Sequence, residues 1–184
     1  SLMDLCAKNE VYMAQWGSPV LDEELKAYLE QSPYWVGCST VDDEASGAAM
    51  VDALYEAGSR HIAVLAPAAG NACHDARYKG IYDEVAKYDD MEVVSEFRDA
   101  LLSSTAPAAI QNMIAMYPEL DGIVLTGASN GSMEAVIQTL ATEGKTGKIK
   151  FATLDVQDGT GDYMDEGALD FIGGGQYPEV VFLA

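Results

Sequence analysis

Ser59-Arg60-His61-Ile62-Ala63-Val64-Leu65-Ala66-Pro67 is the segment that decides the fold. Every residue from Ile62 to Ala66 is apolar, and no polar residue alternates with them. An unbroken apolar run of strand length belongs to a strand buried on both faces, as in a parallel sheet under helices. Gly58 stops whatever precedes it, and Pro67 ends it. Downstream, Ala72–Lys87 reads as a helix, Met91–Phe97 as a strand, and Ser104–Tyr117 as a helix with Ile110, Met113, Ile114 and Tyr117 on one face. Pro107 is expected in the first turn of that helix. Gly122–Thr126 is a strand, and Gly131–Glu143 is a helix with Met133, Val136, Ile137 and Leu140 in register. Ile149–Leu154 is a strand, followed by a short acidic helix near Asp162–Glu166 and a strand at Leu169–Gly174. Upstream, Val11–Trp16 and Tyr34–Ser39 are strands, with Asp22–Glu30 a helix between them, and Ala45–Ala57 is a helix closed by Gly58. This alternation predicts an α/β fold: a doubly wound parallel sheet covered on both faces.

Composition narrows the function classes. The chain has 184 residues and a formal net charge of −20, from 30 acidic and 10 basic residues. That balance excludes nucleic acid as a partner, which needs clustered Lys and Arg, and gives no basis for docking on an anionic membrane. No apolar run approaches the roughly 20 residues of a membrane span. The three cysteines, Cys6, Cys38 and Cys73, form no CxxC pair, so no zinc site or disulfide framework is expected; three buried thiols are. His61 and His74 are the only histidines. No metal and no cofactor is expected. The start of the chain has no basic region followed by an apolar one, and is read as lying after any export signal.

In open α/β sheets, ligands bind beyond the carboxyl ends of the strands. The residues there are Trp16, then Asp42 and Asp43, then 68–74, 98–103 and 127–130, then Asp155 and Gln176. The set is polar and mixed in sign, with one tryptophan. It suits a neutral ligand with many hydroxyls: carboxylates and amides bond hydroxyls, Arg donates in a fork, and an aromatic ring covers C–H surface.

The run Val36-Gly37-Cys38-Ser39-Thr40-Val41-Asp42-Asp43-Glu44-Ala45-Ser46-Gly47, followed by Ala57-Gly58 and the strand at His61, resembles the type I periplasmic sugar-binding proteins. The effector domains of lactose-repressor-like regulators share that fold. Further matches in order are His74-Asp75-Ala76-Arg77-Tyr78-Lys79-Gly80-Ile81, Leu120–Thr126, Phe151-Ala152-Thr153-Leu154-Asp155, and Gly175-Gln176-Tyr177-Pro178. The resemblance covers 36–178. It implies one complete lobe of five strands, 59–175, a partial first lobe, 1–58, and a crossover back to it at 176–184. It implies that Asp42, Arg77, Asp155 and Gln176 contact sugar hydroxyls. Two departures stand out: Ala128-Ser129-Asn130 replaces the family's Asn-Asp, and Asp43 replaces its Asn.

Each candidate has two readings. Asp42 either contacts ligand or stabilises the start of the next helix, and Asp43 is read as that cap. Arg77 grips ligand or forms a surface ion pair with Asp75. Asp155 contacts ligand or holds the following turn. Gln176 contacts ligand or faces solvent at a hinge. Trp16 stacks on a sugar ring or packs in a core. Asn130, with Ser129, donates to ligand or caps a helix. His74 is read as a polar residue facing solvent. No nucleophile elbow, phosphate loop or calcium loop is expected, and the chain is read as no enzyme.

The leading function is a sugar-binding receptor of an ATP-driven importer, partnered by a membrane permease and held outside the cytoplasm. The alternative is the ligand-binding effector domain of a lactose-repressor-like regulator, which would be cytoplasmic. A sensor module of a receptor kinase, or a small enzyme, is a third class. Asp155, at a cleft, is expected to be dispensable for folding.

Overall fold

The computed structural model describes residues 1–17, 19–20, 22–99, 102–129 and 131–174. The chain divides into a smaller unit beginning Ser1–Asp42 and a larger one, Asp43–Gly175.

The smaller unit runs α1 (Leu2–Lys8), β1 (Met13–Trp16), α2 (Glu23–Glu30) and β2 (Trp35–Ser39). Its two strands pair in parallel, from Met13 on Trp35 to Trp16 on Ser39, and among the described residues no third strand joins them. Asp22 caps α2, its carboxylate accepting from the Leu25 N–H at 2.8 Å. Helix α1 has no counterpart in the sequence reading. Its signal was present as Ser1-x-x-Asp4, which closes a reciprocal capping box.

The larger unit runs α3 (Asp43–Glu56), β3 (His61–Ala66), α4 (Ala72–Val85), β4 (Glu92–Arg98), α5 (Leu102–Met116), β5 (Gly122–Leu125), α6 (Ser132–Thr142), β6 (Lys150–Leu154), α7 (Thr160–Asp165) and β7 (Phe171–Gly173). Its five strands form one parallel sheet in the order β4-β3-β5-β6-β7. Alternation along each strand sends side chains to two cores. Ala63, Leu65, Ile123, Leu125 and Phe151 pack with Ile110 and Met113 of α5 and with Met133, Val136 and Leu140 of α6. Ile62, Val64, Val124, Ala152 and Leu154 pack with Met50, Val51 and Leu54 of α3 and with Ile81 and Val85 of α4.

That second core moves a boundary. Helix α3, assigned from sequence to the partial lobe 1–58, belongs to the larger unit, because it packs on β5, β6 and β7. Glycines bring α3 and α4 together: a Cβ on Gly47 would stand 2.1 Å from the Arg77 carbonyl oxygen, and one on Gly80 would stand 2.0 Å from that of Glu44. Only backbones without Cβ atoms approach this closely. Two smaller expectations also change. Pro107 lies inside α5, beyond its first turn, since the helix starts at Leu102. None of the three cysteines is a core residue: Cys38 is exposed and Cys6 and Cys73 are half-buried.

Candidate functional site

The strand order turns at β3. From β3 the chain passes to β4 on one side, then returns to place β5 on the other. The carboxyl ends of β3 and β5 therefore flank a topological switch point, where doubly wound sheets open a crevice. Four segments supply side chains there: the start of α3, the start of α4, the β5–α6 loop, and the end of β6.

Arg77, one turn into α4, is the centre of this group. It is 4% exposed. Its Nε donates to Asp43 Oδ1 at 2.8 Å, and its Nη1 donates to the Thr126 carbonyl at 2.8 Å and to Asp155 Oδ2 at 3.2 Å. One guanidinium thus ties together the first residue of α3, the end of β5 and the end of β6. Asp43 is itself buried, while the Asp155 side chain is 21% exposed and open to solvent. Asp155 holds a left-handed backbone, φ 71°, a conformation that Asp tolerates better than most residues. Gly127 makes the convergence possible. A Cβ there would stand 2.8 Å from Asp155 Oδ2, 2.8 Å from His74 Cε1 and 3.0 Å from Arg77 Nη1.

His74 shares a hydrogen bond with the Thr126 hydroxyl, Nδ1 to Oγ1 at 2.8 Å. Burial, and then the nearby Arg77 guanidinium, hold its imidazole below the usual histidine range. It is half-buried in the cluster rather than facing solvent. Burial likewise pushes the Cys73 thiol up, away from the thiolate that a nucleophile needs.

The structure brings together Arg77 and Asp155. It also corrects two readings. Arg77 is no surface residue paired with Asp75; that carboxylate pairs with Arg98. Asp43, read as a helix cap, is a buried partner of Arg77. Trp16 is 53% exposed in the smaller unit, so it is not a core residue there. Asp42 is exposed at the end of that unit. Asn130 and Gln176 lie outside the described residues.

Gly127-Ala128-Ser129-Asn130-Gly131 does spell Gly-x-Ser-x-Gly between a strand and a helix, contrary to the expectation that no elbow pattern is present. The chemistry of an elbow is not assembled around it. His74 Nδ1 bonds the Thr126 hydroxyl, Asp155 bonds Arg77, and Ser129 bonds Ser132 through its backbone. Among the described residues no His, Cys, Asp or Glu group is arranged for a metal, and no helix is long and apolar enough to cross a membrane.

The model of the periplasmic binding protein domain family matches residues 24–184. No curated protein sequence matches significantly. Among solved structures, a periplasmic solute-binding protein of an ABC transporter from Actinobacillus succinogenes 130z, with bound D-allose, superposes with a TM-score of 0.77 at 18% identity, over 91% of this chain and 58% of that one. A carbohydrate transporter solute-binding protein from Agrobacterium radiobacter, in complex with D-arabinose, gives 0.67 at 16%, over 91% and 64%. The fructose-binding periplasmic domain of a hybrid two-component system gives 0.75 at 14%, over 99% and 58%. At these identities the likeness is one of fold. The chain spans less than two thirds of the length of each of these structures.

Proposed function

We propose that this chain, which belongs to the periplasmic binding protein family, is part of an extracytoplasmic receptor for a sugar, and that it hands this ligand to the permease of an ATP-driven importer rather than transforming it. The observation that carries this reading is the convergence of Asp43, Arg77 and Asp155 at the switch point of the sheet. A carboxylate with one oxygen held by a buried guanidinium and its side chain partly open to water is a fixed acceptor for ligand hydroxyls. A charge-assisted hydrogen bond of this kind contributes about 1.5–3 kcal/mol. Arg77 then works mainly by orienting Asp155. Asp42, Trp16, Asn130 and Gln176 complete the proposed ligand set. The sugars named for the similar structures support the ligand class.

A sensor role is the second reading. It is favoured by the likeness to the fructose-binding periplasmic domain of a hybrid two-component system.

The test is a thermal-shift screen of the complete protein against pentoses, hexoses, nucleosides and amino acids. Stabilisation by one or a few sugars is expected, and stabilisation by amino acids alone would overturn the ligand class. With the sugar in hand, Asp155→Ala should weaken calorimetric affinity by about tenfold to a hundredfold. Unchanged affinity would remove Asp155 from the site. The expectation that this substitution spares folding gives way, because it strips a partner from the buried Arg77.

A further inference from the structure

Asp43, the first residue of α3, is buried with its carboxylate against Arg77. We propose that Asp43 is a specificity-determining residue: its carboxylate on Nε of Arg77, with that of Asp155 on Nη1, leaves the strand-end cluster net negative, so that the site selects uncharged polyhydroxy ligands over counterparts bearing a carboxylate or phosphate. This rests on the reading of the cluster as the sugar site.

The charge count holds for the whole larger unit. The chain has 10 Lys and Arg residues, and positions 18, 21, 100, 101, 130 and 175–184 contribute none. Arg60, Lys87, Lys145, Lys148 and Lys150 sit at or before the amino ends of strands, at the opposite end of the sheet from the cluster. Lys79 pairs with Glu44 and Asp83 on the surface of α4. Arg98 ends the edge strand β4 and pairs with Asp75, which leaves the sum unchanged. Lys8 and Lys26 belong to the smaller unit. His74 adds no charge near neutral pH, since burial and then Arg77 hold it below its usual range.

An Arg that met an anionic ligand would present its fork to that ligand. Here the Nε edge and Nη1 already serve two carboxylates and a carbonyl. A ligand anion about 8 Å from one net negative charge, at an effective dielectric of about 20, loses about 30-fold in affinity. Asp43 touches Arg77 and acts through it, so it is a positioning and charge-compensating residue.

The test compares near-isosteric pairs by calorimetry on the complete protein: D-glucose with D-glucuronate, D-galactose with D-galacturonate, and D-ribose with D-ribose 5-phosphate. The neutral member of a binding pair should be preferred by about 30-fold or more. Asp43→Asn should narrow that ratio by up to about 30-fold, and Asp43→Glu should restore it. An anionic member bound as tightly as the neutral one would overturn the inference and leave the sugar reading intact. So would an Asp43→Asn variant in which both affinities fall in equal proportion, the mark of a purely structural role. If Asp43→Asn does not fold, the wild-type ratios decide. Binding of no carbohydrate in either set would overturn the sugar reading itself, and this inference with it.

Discussion

Strand β5 of the larger unit and strand β1 of the smaller one are the same length and comparably apolar, yet all four residues of β5 are buried while those of β1 alternate between half-buried and exposed. The difference lies in their neighbours. β5 has β3 and β6 beside it and helices over both faces. β1 has β2 alone among the described residues. Among the described residues of the smaller unit, the buried apolar ones are Met3 and Leu29, and Val11, Tyr12, Trp16 and Val36 are exposed. A strand of parallel type stabilises only as part of a layered set, and two strands do not make one. The larger unit has a buried core on each face of its sheet, and it holds Asp43, Arg77 and Asp155.

Paired substitutions sharpen this contrast. Phe151 is fully buried and Val36 is 60% exposed. In urea unfolding, Phe151→Ala should cost about 3–5 kcal/mol and Val36→Ala less than about 0.5 kcal/mol. Similar losses at the two positions would mean that the smaller unit is as well packed as the larger. A second pair sits on the boundary between the units. Asp43→Ala leaves Arg77 short of a buried partner and should cost about 3 kcal/mol, while Asp42→Ala, exposed, should cost under about 0.5 kcal/mol. Equal effects would assign the Asp43–Arg77 bond no special weight.

The smallest effect concerns pH. Both histidines lie in the larger unit, and His74 is held below its usual value of 6.5. Above that value, folded and unfolded chains are both neutral at this residue and its contribution to stability is complete. As pH falls below it, the unfolded chain takes up a proton that the folded one refuses, so stability declines until the lowered folded value is reached. Urea midpoints at about pH 7.5 and about pH 5.5 should differ less in His74→Asn than in the unsubstituted protein. An unchanged difference would place the pH dependence elsewhere, with the acidic groups.

Much of the fold was legible because the signals are local. The apolar run from Ile62 to Ala66, the helix faces around Val51 and Met133, and the breaks at Gly58 and Pro67 each state their element without knowledge of the rest. Helix α1 was legible too, in Ser1-x-x-Asp4, and went unread. The allegiance of α3 was not legible. Its apolar face fits any neighbouring sheet, and only packing shows which one it covers. That Arg77 and Asp155 share one end of the sheet was expected from their places after strands; that they bond each other directly was not. The burial of Asp43 was not, since an acid before a helix looks the same whether it caps the helix or pairs with an Arg on the next one.

The sequence by itself determined the layered α/β class, the run of strands and helices in the larger unit, and a polar set at the strand ends. Those follow from periodicity and turn chemistry, which act over a few residues. Only the tertiary structure decided that the guanidinium of Arg77 joins carboxylates 34 positions before it and 78 after it, and that Gly127 leaves room for the junction. Charge compensation depends on distances between residues that strand order alone brings together, and that order is fixed by the packing of the whole sheet.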